Sequence, residues 1–410
     1  MSASVTTAPT MTTTPDPAPT SGRLLSLDAY RGFIMICLSW GGFGLAKYGE
    51  LKMQAHPDSG WWRFFHAQFD HGPWAGWGFW DLIMPAFMFM VGMAMPFSQA
   101  RREREGQTRA QIVRHTLIRS GVLILLGIFL SSHSKPHDAW TLTNTLAQIG
   151  LCYPLAALCV GRGYRVQAMA AAALLVGTWL LFVLHGGSSQ LGPGITPEWA
   201  AANHAGMSQV WWKCSNAFHA FDVWFLNLFP QNAPFVANEG GYQTLNFLPS
   251  LPTMIAGIMC ADWVRAKGAG NSRKLRVLLM AGAVLPLVGQ FIGHSGLCPL
   301  VKRIWTPSFS LVCSGMCVLM LAAFYYIVDM RGWKRWTFPL MVAGANSIAL
   351  YMVSQLLKPW VGGLWQRYLG QDVFLIAGPE LESVLRYSAI GFTFWLVVYW
   401  MYRNKFFVRI

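Results

Sequence analysis

Ten apolar runs of bilayer length divide this chain of 410 residues. They fall near 24–46, 77–97, 110–131, 142–160, 165–184, 247–264, 275–293, 308–328, 337–357 and 385–402. A helix needs about 20 predominantly apolar residues to cross the hydrocarbon core of a bilayer. The pattern therefore predicts an all-α, polytopic integral membrane protein with ten transmembrane helices. An eleventh, short or re-entrant helix is open at VWFLNLF (223–229). Only 12% of the residues are charged, about half the share of a soluble domain. The 20 Trp and 26 Phe suit interfacial belts and lipid-facing surfaces. Residues 1–22 are rich in Thr, Pro, Ala and Ser, carry one charge (Asp16) and lack an apolar core. They read as a disordered tail rather than a signal peptide, leaving 23–410 as the transmembrane domain.

The net charge of +14 could suggest nucleic acid as a partner. The basic residues are instead dispersed through short loops between apolar runs, as the positive-inside bias produces, and nucleic-acid binding is set aside. With the N-terminus inside, the inner segments hold 19 of the 31 Lys and Arg and the outer segments 10. Arg31 and Arg119 lie within spans. This places both termini in the cytoplasm, in the inner membrane if the source is bacterial. The long outer loop, 185–246, then carries one lysine, Lys213, and nine of the ten histidines fall outside. Acid–base chemistry, if the chain performs any, is expected on that side. The bland reading is that polar outer loops collect histidines.

Six cysteines sit in apolar spans and read as packing residues. No metal site is expected. Cys214 and Cys298 are the only two in outer segments. A disulfide between them would suit an oxidising compartment, but spacing does not show proximity, so the bridge stands beside two free thiols as an alternative.

Two charged constellations stand out. In SLDAYRGF, Asp28 and Arg31 are three residues apart and share a helix face. They form either a structural ion pair that anchors the helix end or an arginine held ready for a phosphate. In HGPWAGWGFWDLIMP (71–85), Asp81 heads an apolar run where a carboxylate is costly without a partner or a task. A continuous helix would hold His71 about 15 Å from Asp81. Gly72, Pro73, Gly76 and Gly78 argue against that helix. A helix beginning near Gly78 would put Asp81 in its first turn, favoured by the helix dipole, and the preceding loop could fold back to set His71 above it. The alternative is a loop histidine and an unrelated N-terminal aspartate. Asn346, within AGANSIALY (343–351), lines a cavity or bonds helices together. Aromatic and amide residues of the 185–246 loop suit either sugar stacking or a stretch lying on the membrane surface.

SLDAYRG, followed by His71, Trp74, Gly76, Asp81, Leu82 and Pro85 at matching spacing, resembles the membrane-bound heparan-α-glucosaminide N-acetyltransferases and their bacterial relatives. Weaker echoes follow in LAQIGLCY (146–153), NFLPSLPTMIAGIMCA (246–261), PLVKRIWTPSF (299–309) and GANSIALY (344–351), so the resemblance covers about 24–358. It implies transfer of acetyl from acetyl-CoA, the donor substrate, to the amine of an amino sugar or glycan on the outer side. His71 would be the catalytic base or nucleophile and Asp81 its partner. Arg31 and Lys302 would face the donor, and Trp74 and Asn346 the substrate. Where the family often has Leu-Gln-Arg, this chain has Leu146, Ala147 and Gln148, and Val301 replaces an Asn. An arginine suited to CoA phosphates is thus missing from that motif. A solute transporter using Asp81 and Asn346 is the alternative; it predicts internal repeats, and none is evident. A non-catalytic relative or scaffold is a third reading. Oligomeric state is open, a homodimer included.

Overall fold

The computed structural model describes residues 24–135, 138–230 and 233–408. The tail expected at 1–22 lies outside the described residues. No strand occurs among those described, only one isolated parallel bridge, Gly76 with Val301. The helices are α1 (Leu25–Ser39), α2 (Leu45–Ala55), α3 (Gly60–Phe69), α4 (Ile83–Arg104), α5 (Arg109–Ser132), α6 (Thr145–Ala157), α7 (Tyr164–His185) and α8 (Pro197–Asn203). After them come α9 (Ala217–Leu226), α10 (Phe247–Arg265), α11 (Asn271–His294), α12 (Pro307–Phe324), α13 (Phe338–Ala345), α14 (Ser347–Leu369) and α15 (Glu382–Arg403).

Among the described residues seven helices are long and apolar enough to cross a membrane, or eight if α13 and α14 count as one span bent by 71°. The long ones coincide with seven of the ten expected runs. The other three differ for identifiable reasons. The run at 24–46 breaks after α1, because Gly41, Gly42, Phe43 and Gly44 all take left-handed φ between 54° and 68°. The run at 142–160 yields only the 13 residues of α6. The run at 337–357 bends at Asn346, whose φ/ψ of −122°/42° leave the helix. The candidate eleventh helix at 223–229 overlaps the end of α9, a short apolar helix of ten residues.

The bundle has a centre and a periphery. In the apolar windows of Phe79–Arg104 and Thr244–Arg265, 72% and 67% of residues are buried against protein; for α5, α7 and α11 the share is 17%. Phe129, Leu184 and Phe291 on those outer helices face away from protein, as lipid-facing residues must. Small residues set the central crossings. A Cβ at Gly92 would lie 2.0 Å from the Met254 carbonyl oxygen, and one at Gly257 2.2 Å from that of Phe89. Helices α4 and α10 thus meet backbone to backbone, the close approach expected between membrane helices without large interface side chains. Gly32 against Leu340 does the same for α1 and α13.

The segment 185–246 folds back onto one end of the bundle. Trp211, Phe218 and Phe182 stack there with Trp74, Val301 and Ile304 in a second core. This cap fixes the loops that carry His71 and Lys302.

Candidate functional site

Two loops meet at the capped end. Gly76 donates its backbone N–H to Leu300 O at 2.8 Å, which lays the 71–78 loop along the 298–306 loop. The second loop is held as a tight turn. Val301 N donates to Thr306 Oγ1 (3.0 Å), Thr306 Oγ1 to Pro299 O (2.7 Å) and Asn246 Nδ2 to Arg303 O (2.8 Å). Trp305 stands at φ 48° in this turn, a left-handed conformation that persists only where the surroundings over-determine it. After the first loop, Phe79–Leu82 forms a 3₁₀ turn that leads into α4. Asp81 Oδ2 accepts from Gly78 N at 3.0 Å, so the carboxylate caps the turn it belongs to.

These constraints bring three titratable side chains together. His71 Nδ1 lies 3.2 Å from Asp81 Oδ1, Lys302 Nζ donates to the same oxygen at 2.8 Å, and Lys302 Nζ is 3.1 Å from His71 Nδ1. Asp81 is buried and His71 is about half exposed, its side chain at 46%. The buried carboxylate is therefore balanced by one ammonium and a backbone N–H, as a buried charge requires. Two tautomers satisfy the imidazole. With its proton on Nδ1 the ring donates to Asp81 and leaves Nε2 as a base. With its proton on Nε2, Nδ1 accepts from Lys302 and the base is switched off.

His71 and Lys302 border a cavity of about 370 Å³ that is also lined by Leu38, Phe87, Gln148, Asn246 and Trp305. A smaller cavity, about 70 Å³, is lined by Arg31, Ile34, Phe87, Arg119, Leu146 and Ser347. The two stack along shared helices. On α1, Leu38 faces the first and Ile34 and Arg31 the second; on α4, Ile83 and Met84 face the first and Met90, Val91 and Ala94 the second. Phe87 lines both. Seven residues of α1 separate Leu38 from Arg31, about 10 Å along the helix axis.

The structure divides the residues singled out in the sequence. His71, Asp81 and Lys302 form one cluster. Arg31 pairs with Asp28 at 2.8 Å and belongs to the smaller cavity. Trp74 is fully buried beneath the cap, its indole donating to Trp211 O at 2.9 Å, so it supports the loop from behind. Asn346 is also fully buried; it donates to Phe406 O and accepts from Val408 N, pinning residues 406–408 to the α13–α14 bend. Neither Trp74 nor Asn346 is among the residues that line the two cavities. Cys214 and Cys298 are buried free thiols. No cluster of metal-ligating side chains occurs among the described residues.

Two other histidines, His204 and His219, are buried in the cap. His204 stacks on Trp212 and accepts from Lys213 N; burial, helped by Lys213, pushes its pKa down. His219 is lowered by burial alone. Sequence reasoning missed Arg119 as a site residue. It contacts Tyr153, whose hydroxyl accepts its Nη1 at 3.3 Å and whose ring centroid lies 4.8 Å away. No ion pair to Arg119 occurs among the described residues, and its Nε is buried without a hydrogen-bond partner. Its position within an apolar span was the available signal, because intramembrane charges tend to be functional.

No family model matches the chain. It is similar, at 21% identity over 95% of its length, to the heparan-alpha-glucosaminide N-acetyltransferase of Homo sapiens, and it spans 60% of that protein's length.

Proposed function

We propose that the protein is a membrane-bound acyltransferase that moves acetyl from acetyl-CoA to the amine of an amino sugar or glycan at the capped end of the bundle. The observation that carries this reading is the His71–Asp81–Lys302 cluster at the mouth of a cavity, in a chain with distant similarity to a membrane N-acetyltransferase. The Lys and Arg distribution along the sequence supports the capped end as the outer one, with both termini in the cytoplasm.

The smaller cavity suits the donor's phosphates. Arg31 and Arg119 line it together with Ser347, the first residue of α14. Two guanidiniums and the positive end of a 23-residue helix dipole favour an anion there. Arg119 stands beside Leu146 and Ile149, close to the motif that lacks the expected arginine. The donor supplies an activated acetyl thioester at the His71 cavity.

The chain's residues do the rest. Asp81 holds the imidazole proton on Nδ1, leaving Nε2 to accept a proton from the attacking amine as the N–C bond forms. His71 returns that proton to the leaving thiolate as the C–S bond breaks. Lys302 neutralises Asp81 and offers an ammonium next to the developing oxyanion.

Acetyl-CoA turnover by purified protein, with glucosamine as acceptor, tests the reading. His71→Ala is expected to lower kcat by about 10²- to 10⁴-fold. Arg119→Ala should raise the KM for acetyl-CoA by about 10- to 100-fold, the loss of a charge-assisted contact. Full activity in purified His71→Ala protein would refute the mechanism.

A further inference from the structure

The wall of the larger cavity next to the Lys302 turn carries an unassigned recognition surface. Gln148 is fully buried, and its Nε2 donates to two carbonyls, Leu142 O at 2.7 Å and Thr244 O at 3.0 Å. Both amide hydrogens are thereby used, the amide cannot be flipped, and Oε1 has no hydrogen-bond partner. Asn246 repeats the arrangement: Nδ2 donates to Arg303 O at 2.8 Å and Oδ1 is unpartnered. The Trp305 indole N–H also lacks a partner. All three side chains line the cavity and all are more than nine-tenths buried.

A buried polar group with no partner costs about 1–3 kcal/mol, and native proteins keep few of them. Three in one cavity, the two amides held by hydrogen bonds from their nitrogens and the indole by its burial in the turn, form a fixed pattern of two carbonyl acceptors and one donor. We propose that this wall is the binding site for the sugar ring of the acceptor. The ring's hydroxyls donate to Gln148 Oε1 and Asn246 Oδ1, and one hydroxyl oxygen accepts from Trp305. The ligand class is a polyhydroxylated pyranose with a free amine turned toward His71.

Three points favour a pyranose over the amide groups of the donor's arm. Adjacent hydroxyls present several donors side by side, whereas an extended arm offers its amide N–H groups singly along its length. Trp80, Tyr242 and Trp305 line the cavity, and aromatic faces suit the C–H face of a sugar. The volume of about 370 Å³ lies within the range of small-molecule sites, about 300–1,000 Å³. The inference rests on the acyl-transfer reading for the direction of the amine.

The test is direct binding of glucosamine to the detergent-purified full chain by calorimetry, with gel filtration confirming the fold of each variant. Gln148→Met, Asn246→Leu and Trp305→Phe are each expected to weaken glucosamine binding about 3- to 10-fold, the effect of one neutral hydrogen bond. Trp305→Phe keeps the ring and removes only the N–H, so the test stands even if an amide variant fails to fold. Glucosamine binding that the variants weaken, without acetyl transfer, would uphold this site and refute the acyltransferase reading. Acetyl transfer with a glucosamine KM unchanged in folded Trp305→Phe would overturn the site and leave the reading intact. Failure of the wild type to bind glucosamine would also overturn it. So would loss of pantetheine binding in place of sugar binding in the variants.

Discussion

Asp81 meets two demands at once. Its carboxylate caps the turn that starts α4 and holds His71 and Lys302 by the same oxygen. Removing the lysine would leave a buried carboxylate with a half-exposed imidazole as its main partner. Lys302→Met is therefore expected to cost about 3–5 kcal/mol, since breaking a buried ion pair strands its partner. Thermal unfolding in detergent measures this, and Asp81→Asn in the Lys302→Met background should recover part of the loss. Full additivity of the two substitutions would show that the pair is not coupled. The histidine in a Gly/Pro/Trp-rich loop and the aspartate ten residues on were both legible as candidates. Lys302, 221 residues beyond Asp81, was legible as a cation but not as the third member of the cluster. The Gly76–Val301 bridge and the packing of Trp74 on Val301 and Ile304 bring the two loops together.

At the scale of elements, the helix contacts rest on glycines. The α4–α10 crossing forms because Gly92 and Gly257 each lie under the other helix's backbone. A Cβ at 257 would stand 2.2 Å from Phe89 O, so Gly257→Val must push the helices apart. The expected destabilisation is at least about 1–3 kcal/mol, the usual cost of overpacking. Gly363→Ala in α14 meets nothing within 4 Å, and it should raise stability by up to about 1 kcal/mol through helix propensity. Equal melting temperatures for the two variants would contradict this account of the crossing. Hydropathy located α4 and α10 but did not foresee the left-handed turn after α1 or the bend at Asn346 that starts α14. Both breaks depend on local backbone geometry that average hydrophobicity does not register.

At the scale of the whole molecule, the cap formed by 185–246 seals one end of the bundle and contributes a titrating group. Asp222 is buried in α9, and burial pushes its pKa up to about 6, against the opposing Thr244 N–H that donates to both carboxylate oxygens. The unfolded chain's aspartates titrate near about 3.9. Between these values the folded state binds more protons than the unfolded one, so stability falls as pH rises from about 4 to about 6. The melting temperature of Asp222→Asn should be flatter across that window than the wild type's. Parallel pH profiles would rule out Asp222 as the source.

The all-α membrane architecture and most helix positions were determined by the sequence itself, because bilayer burial is a local property of about 20 consecutive residues. The His71 and Asp28–Arg31 motifs were local as well, each contained within a few turns of chain. The tertiary structure alone decided which polar groups share a cavity. It placed Lys302 with His71, Arg119 with Arg31 and Gln148 with Asn246, and it withdrew Trp74 and Asn346 into the packing. The physical reason is range. Hydrophobic periodicity acts between neighbours in sequence, whereas a binding site is a coincidence of side chains from helices that meet only once the bundle is packed.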